Sequence, residues 1–250
     1  MSEKLVMSVS PDFPPRGLPG WYIFNTWLQV QLGVPIRLEL YDSFEKQREA
    51  ITRDEVDIVY ANPWDASALM REAGFKAVCA PLNRPDETLV AVSKESDWHK
   101  VEDLPTVLRI ACTDEPEVNL VGNILLEPAD IDMSAATVTM VDTHVQVVKA
   151  LIQGRADVGY FLESAYEEFT SIIKRQLRVL LSSRIHIIRH VVLAGPRVSD
   201  ELRETLLGKL LDMPNIDKGA GVLDSLALTG WEALTQEDAE FMIDLMDTLH

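Results

Sequence analysis

Apolar and polar positions along the chain follow two rhythms, one of period two and one near 3.6, separated by breaks rich in Gly, Pro and Asp. LVMSVS (5–10), IRLELY (36–41), VDIVYA (56–61) and FKAVCAPL (75–82) read as strands. WYIFNTWLQVQLG (21–33), SFEKQREAITRDE (43–55) and DASALMREAG (65–74) read as helices. Ile23, Trp27 and Val30 mark the expected inner face of the first helix, and Gly33 its stop. Ser43 is the expected N-cap of the second, with Lys46 where a capping box needs an acid. Asp65 is the expected cap of the third and Gly74 its end. Strands and helices in alternation predict an α/β protein with a mostly parallel sheet flanked by helices.

A second series of the same kind follows. TLVAVS (88–93) is extended and WHKVEDLP (98–105) a short helical turn. LRIACT (108–113), ATVTMVD (136–142), ADVGYF (156–161) and LRVLLSS (177–183) read as strands. The helices between them are VNLVGNILLEPADI (118–131), breaking near Pro128, THVQVVKALIQGR (143–155) and SAYEEFTSIIKRQ (164–176). Thr143 is the expected cap of the middle one, with Val147, Ala150 and Leu151 facing inward. HVVLAGP (190–196) is extended, and helices follow at 198–213 and 234–250, with Ser199 and the Thr235/Asp238 pair as cap signals.

The two series share a phrase. AITRDEVDIVYANPWDASALM and ALIQGRADVGYFLESAYEEF each run helix, charged turn, apolar strand, polar loop, helix. This predicts two similar lobes. One is 1–87 plus 194–250 and the other 94–187, with crossover hinge strands near 88–93 and 188–193.

Composition narrows the function classes. In 250 residues, 40 acids outweigh 23 Lys and Arg for a net charge of −17, which disfavours nucleic acid and anionic membrane surfaces. No apolar run approaches the ~20 residues of a membrane helix. MSEKLVMSVSPDF has no basic segment, apolar core or cleavage site, so with Met1 as native start the expected location is the cytoplasm. Cys79 and Cys112 fit two buried free thiols in a reducing compartment. Two Cys and five scattered His show no metal-ligand spacing, and no cofactor is expected.

The chain resembles the phosphonate/phosphite-binding family of periplasmic substrate-binding proteins, of the type 2 two-lobed fold. The resemblance spans nearly the whole length. It rests on the order of elements and on a Pro-rich loop before a long helix ending LGVP, then VDIVYANPW, VDTHVQVVKAL, GRADVGYF and LDSLALTGW. It implies a two-lobed α/β protein that holds a small molecule in a cleft between lobes. In such folds ligands meet the C-terminal ends of strands, so the first polar residues after each strand are the candidates.

After the first strand these are Asp12, Phe13 and Arg16, with Arg16 the anion partner of its loop. After the third come Tyr60, Asn62 and Trp64, an aromatic wall with one amide. Thr113 and Asp114 follow LRIAC, and Tyr160 and Glu163 flank the end of ADVGYF. His190 is a further candidate. The resemblance implies that the Thr143-His144 step contacts the ligand, and that an acid near Glu163 meets a ligand amine or protonated oxyanion.

One corner departs from the family. Where the resemblance implies Ser, Thr and Gly around the phosphonate oxygens, this chain has Thr113 followed by Asp114, Glu115, Pro116 and Glu117. Carboxylates within ~5 Å of a phosphonate repel it strongly in a dry site. The expectation is therefore a solute-binding protein, sensory or regulatory, whose ligand is not simple phosphonate. A protein partner or homodimer stays open. Two alternatives stand beside it. One is a cytoplasmic lyase resembling chorismate dehydratase, signalled by His144 within ~3.2 Å of a carboxylate. The other is an interaction domain whose cleft is plugged by its own side chains. No catalytic residue is assigned.

Overall fold

The computed structural model describes residues 4–12, 17–129, 131–186 and 188–248. In chain order the elements begin β1 (Leu5–Val9), α1 (Leu18–Leu32), β2 (Ile36–Leu40), α2 (Phe44–Thr52), β3 (Ile58–Ala61), α3 (Pro63–Glu72) and β4 (Lys76–Pro81). Then come β5 (Thr88–Ser93), β6 (Arg109–Cys112), α4 (Pro116–Leu126), β7 (Thr137–Met140), α5 (His144–Ile152) and β8 (Val158–Leu162). Next are α6 (Glu163–Glu167), α7 (Ser171–Lys174), β9 (Leu177–Ser182), β10 (Val191–Ala194) and α8 (Asp200–Leu211). The last are α9 (Gly219–Ser225), β11 (Trp231–Ala233) and α10 (Gln236–Thr248).

The chain forms two compact units. The first joins the residues up to Arg84 with Arg189–Thr248, and the second is Pro85–Ile188. Its sheet has the order β11-β4-β10-β3-β1-β2 in the first unit and β7-β6-β8-β5-β9 in the second. Both sheets are mixed. β1 pairs in parallel with β2 and β3, while β10 runs antiparallel between β3 and β4. β6 pairs in parallel with β7 and β8, while β5 runs antiparallel between β8 and β9. Thr88–Ser93, read from sequence as a crossover, is thus an inner strand of the second sheet.

The cores explain the strands. Met7, Val9, Ile58, Val78 and Val192 pack with Trp21, Phe24 and Leu28 of α1 in the first unit. In the second, Leu89, Ala111 and Phe161 face Val147 and Leu151 of α5, while Val90, Ile110 and Tyr160 face Val118 of α4. β8 thus presents Tyr160 and Phe161 to opposite sides, as a period-two strand must.

One parallel pair in each sheet, β1–β3 and β6–β8, is pinned by an acid, Asp57 buried and Asp157 partly buried. The Asp57 carboxylate accepts from the Val6 N–H at 2.8 Å and from Arg197 Nε at 2.8 Å. The Asp57 N–H donates back to the Val6 carbonyl. In the second unit Asp157 accepts from the Arg109 N–H at 2.9 Å and from its Nε at 3.1 Å, and its N–H donates back to the Arg109 carbonyl. These are the aspartates of V-D-I and A-D-V, so the shared phrase is a shared structural joint.

The helix caps at Ser43, Thr143 and Ser199 accept from the N–H groups of Lys46, Gln146 and Leu202. Thr235 and Asp238 bond reciprocally ahead of α10. Four expectations are corrected. Ile23 and Val30 are exposed, because α1 is apolar on most sides and buries the Trp21, Phe24 and Leu28 stripe, with Trp27 beside it. Asn62, not Asp65, caps α3, because Pro63 fits the first helical position. The helix read over 164–176 is two short ones, since Thr170 is extended and caps α7 through Ile173 N–H. Helix α9 and strand β11 were missed inside the LDSLALTGW stretch and its flank.

Candidate functional site

In the first unit, the strand ends are filled with polar side chains that satisfy one another. Gln47, buried on α2, donates through Nε2 to Ser8 Oγ at 2.7 Å and to the Val9 carbonyl at 2.9 Å. Asn62 is fully buried and accepts from the Asp65 N–H at 2.7 Å. Its amide donates to Asp65 Oδ2 at 3.0 Å and to Ser10 Oγ at 3.3 Å. Arg48 Nε then ties Asp65 Oδ1 to α2 at 2.6 Å. Asn62 is therefore occupied as a cap and brace.

Beside this network lies an aromatic and acidic cluster. Asp12 Oδ2 sits 3.0 Å from His190 Nε2, with both side chains largely buried. The His190 ring stacks on Tyr60, centroids 5.2 Å apart at 22°. Tyr60 also packs on Trp21 at 4.7 Å and meets Trp231 edge-on at 6.2 Å. Asp12, Tyr60 and His190 therefore come together, as their positions after β1, near the end of β3 and before β10 allow. Trp64 lies half-buried in the first turn of α3. Phe13 and Arg16 lie outside the described residues.

The second unit differs at the corresponding corner. The Asp57 and Asp157 joints align Val6 with Arg109, and so Ser10 with Thr113. Thr113 is 5% exposed, yet its Oγ1 is sealed from solvent and has no partner among the described residues. Glu115 stands at the N-cap position of α4 but makes no capping bond. It turns instead to His144 in the first turn of α5, with Oε1 3.2 Å from Nε2. Glu115 Oε2, Asn119 Oδ1 and His144 Nδ1 likewise have no hydrogen-bond partner among the described residues. The orientation of Asn119 is fixed, because its Nδ2 donates to the Thr113 carbonyl at 2.9 Å. Glu117 is also buried here. Burial raises the Cys112 thiol to about 11, and the charges of Asp114 and Glu115 add to the shift. The acids thus act on this corner although Asp114 itself is exposed.

Tyr160 does not join that corner. It is 2% exposed, its hydroxyl donates to Asn123 Oδ1 at 2.9 Å, and burial holds its phenol well above the usual value. A Cβ at Gly122 would lie 2.7 Å from the Tyr160 ring, so α4 seats this residue only because that position is glycine. Phe161, on the other side of β8, lies 5.9 Å from the His144 ring.

Glu163 opens α6 and lines a separate cavity of about 340 Å³ within the second unit, with Glu87, Tyr166, Glu167, Arg184 and His186. Glu87 is the organising group. Its buried carboxylate accepts from Ser183 Oγ, from the Ile185 N–H at 3.2 Å and from the His186 N–H at 2.8 Å. Glu87 and Asn119 carried no sequence signal, since one precedes a strand and the other sits inside an apolar helix. Glu115 was visible as an acid, but its pairing with His144 needs the fold. Among the described residues, no group of three or more His, Cys, Asp or Glu is placed to hold a metal ion. Nor is any helix among them long and apolar enough to cross a membrane.

The family described as the periplasmic substrate-binding protein of phosphonate ABC transporters matches residues 7–239. The chain belongs to that family. No curated protein matches it by sequence. Among solved structures, PhnD1 from Prochlorococcus marinus in complex with methylphosphonate is similar with a TM-score of 0.80 at 12% identity, covering 100% of this chain and 99% of that one. XAC2383 from Xanthomonas citri bound to ATP is similar with a TM-score of 0.79 at 15% identity, covering 99% and 98%. The periplasmic aliphatic sulphonate binding protein SsuA from Escherichia coli has a TM-score of 0.68 at 13% identity, covering 99% and 88%. At such identities these likenesses carry the fold.

Proposed function

We propose that this protein binds a small solute other than simple phosphonate, through the strand-end corner of the second unit described above, and serves a sensory or regulatory role. The observation that carries this reading is the group of sealed polar atoms at Thr113, Glu115, Asn119 and His144 that lack partners among the described residues. A buried polar group without a partner costs roughly 1 to 3 kcal/mol, so a fold rarely keeps several unless a ligand meets them. Family membership supports solute binding. The similar structures are named for methylphosphonate, ATP and sulphonates, which supports a scaffold that serves several chemistries. Unlinked, fully buried Cys79 and Cys112 support a reducing, cytoplasmic setting, to be tested by cell fractionation.

A thermal-shift screen over amines, amino acids, nucleosides, nucleotides and oxyanions tests the reading. A ligand present at about a hundred times its Kd is expected to raise Tm by roughly 5 to 10 °C. No stabiliser in the set counts against it. The Glu115–His144 approach of 3.2 Å favours a second reading, a lyase using this pair for proton transfer. Following each stabilising compound by NMR decides it, since a compound that stays unchanged is a ligand and not a substrate.

A further inference from the structure

We infer that the Thr113–Asn119 corner of the second unit receives a primary ammonium group, so that the solute is an amine. This inference rests on the solute-binding reading and deepens it. Three oxygens there lack partners among the described residues: Thr113 Oγ1, Glu115 Oε2 and Asn119 Oδ1. Each can accept, and only the Thr113 hydroxyl can also donate. Glu115 is acceptor-only when ionised. Asn119 cannot be turned over to offer N–H groups, because its Nδ2 already faces the Thr113 carbonyl. Thr113 sits at the end of β6, with its hydroxyl sealed from solvent in a residue 5% exposed.

A primary ammonium carries three N–H donors and one positive charge. It matches three acceptors one to one, and it meets the charge of Glu115 with Asp114 and buried Glu117 close by in the chain. A phosphonate or sulfonate brings acceptors only; it could take the Thr113 hydroxyl proton but would leave the Glu115 and Asn119 oxygens unpaired beside its own charge. His144 acts as a positioning residue. Its Nε2 holds Glu115 Oε1, which leaves Oε2 as the oxygen offered to the ligand.

The test uses matched pairs that differ by one ammonium group, namely taurine against ethanesulfonate and 2-aminoethylphosphonate against ethylphosphonate, together with putrescine. Titration calorimetry on the whole chain is compared with Glu115→Gln and Thr113→Val, the second covering failure of the first to fold. The amine of each pair is expected to bind at least about tenfold more tightly, as charge-assisted bonds do. Glu115→Gln should remove most of that difference and Thr113→Val part of it. Amine-free anions that bind equally well, and better still in Glu115→Gln, overturn the ammonium site while leaving a solute-binding protein. An amine preference untouched by both substitutions also overturns it. If none of these compounds binds but another class stabilises the protein, the site fails and the broader reading stands. If nothing binds, both fall.

Discussion

The first polar residue beyond each pinned strand is Ser10 in one unit and Thr113 in the other, and their surroundings differ. Ser10 Oγ receives the Asn62 amide, in a net that continues to Asp65 and Arg48, with Gln47 holding the neighbouring Ser8 and Val9. Thr113 Oγ1 receives nothing among the described residues, and neither do the Glu115 and Asn119 oxygens near it. The same joint therefore supports a corner whose polar groups serve the fold and another whose polar groups weaken it. Sequence kinship alone would have treated the two alike. What separates them is whether each acceptor already has its donor.

Substitutions at matched positions test this contrast. The largest effect is expected at the joints themselves. Asp57→Ala removes a carboxylate that is 1% exposed and with it two charge-assisted hydrogen bonds, from the Val6 N–H and from Arg197, and should cost about 3 to 5 kcal/mol in urea unfolding. Asp157→Ala should cost less, about 1 to 3 kcal/mol, because the Asp157 carboxylate is less buried than that of Asp57 and its loss leaves water better able to reach the Arg109 groups. Equal losses would show that the two joints do not differ as described. Next, Gln47→Leu keeps the volume but strips the donor from Ser8 and Val9, for a loss of about 1 to 3 kcal/mol.

A smaller and more telling difference is expected between Ser10→Ala and Thr113→Val. The first should destabilise by about 1 kcal/mol, while the second should be neutral or stabilise by up to about 1 kcal/mol, because it removes a sealed hydroxyl that has no partner. Destabilisation by Thr113→Val comparable to that of Ser10→Ala would remove the basis for a ligand corner.

The smallest effect concerns pH. Burial alone would raise the Asp157 carboxyl, but the Arg109 side-chain bonds, the Arg109 N–H and the guanidinium charge outweigh it and hold the group below the usual carboxylate value. A lowered folded pKa gives stability that is present above the unfolded value near 4 and is lost as pH falls through the folded value. Arg109→Gln should therefore be less stable than the native chain at pH 6, and the gap should shrink below about pH 4. Urea midpoints at pH 6 and pH 3 check it, and a gap that does not change with pH would contradict the pairing.

The fold was legible because its local signals agree. Alternating strands, capped helices at Ser43, Thr143 and Ser199, and the repeated V-D-I and A-D-V phrases all gave the same plan. The errors fall where the pattern does not discriminate. Helix α1 is apolar almost all round, so periodicity could not choose between Trp21 and Ile23 as the buried side. The candidate site was legible only by place and resemblance. Thr113 was singled out because it follows a strand, and His144 because its place after a strand agrees with the family resemblance. Asn62 and Tyr160 also follow or end strands, yet hydrogen bonds and packing engage them fully in the scaffold. Alternation puts Tyr160 and Phe161 in opposite layers, but it could not say which of them meets α4 and which meets α5. Asn119 was hidden inside a helix, and its importance comes from which of its two polar atoms is already bonded.

The joints at Asp57 and Asp157 also bear on the order in which the chain assembles. Each links strands about fifty residues apart, Val6 to Asp57 and Arg109 to Asp157, and so closes a strand-helix-strand-helix-strand unit, β1 to β3 in one case and β6 to β8 in the other. The second unit is continuous, whereas the first takes β10 and β11 from beyond it. A ribosome therefore delivers every strand of the second sheet before the last two of the first. The unit begun earlier is finished later, and in that interval its β1–β3 half has Asp57 as its own clasp.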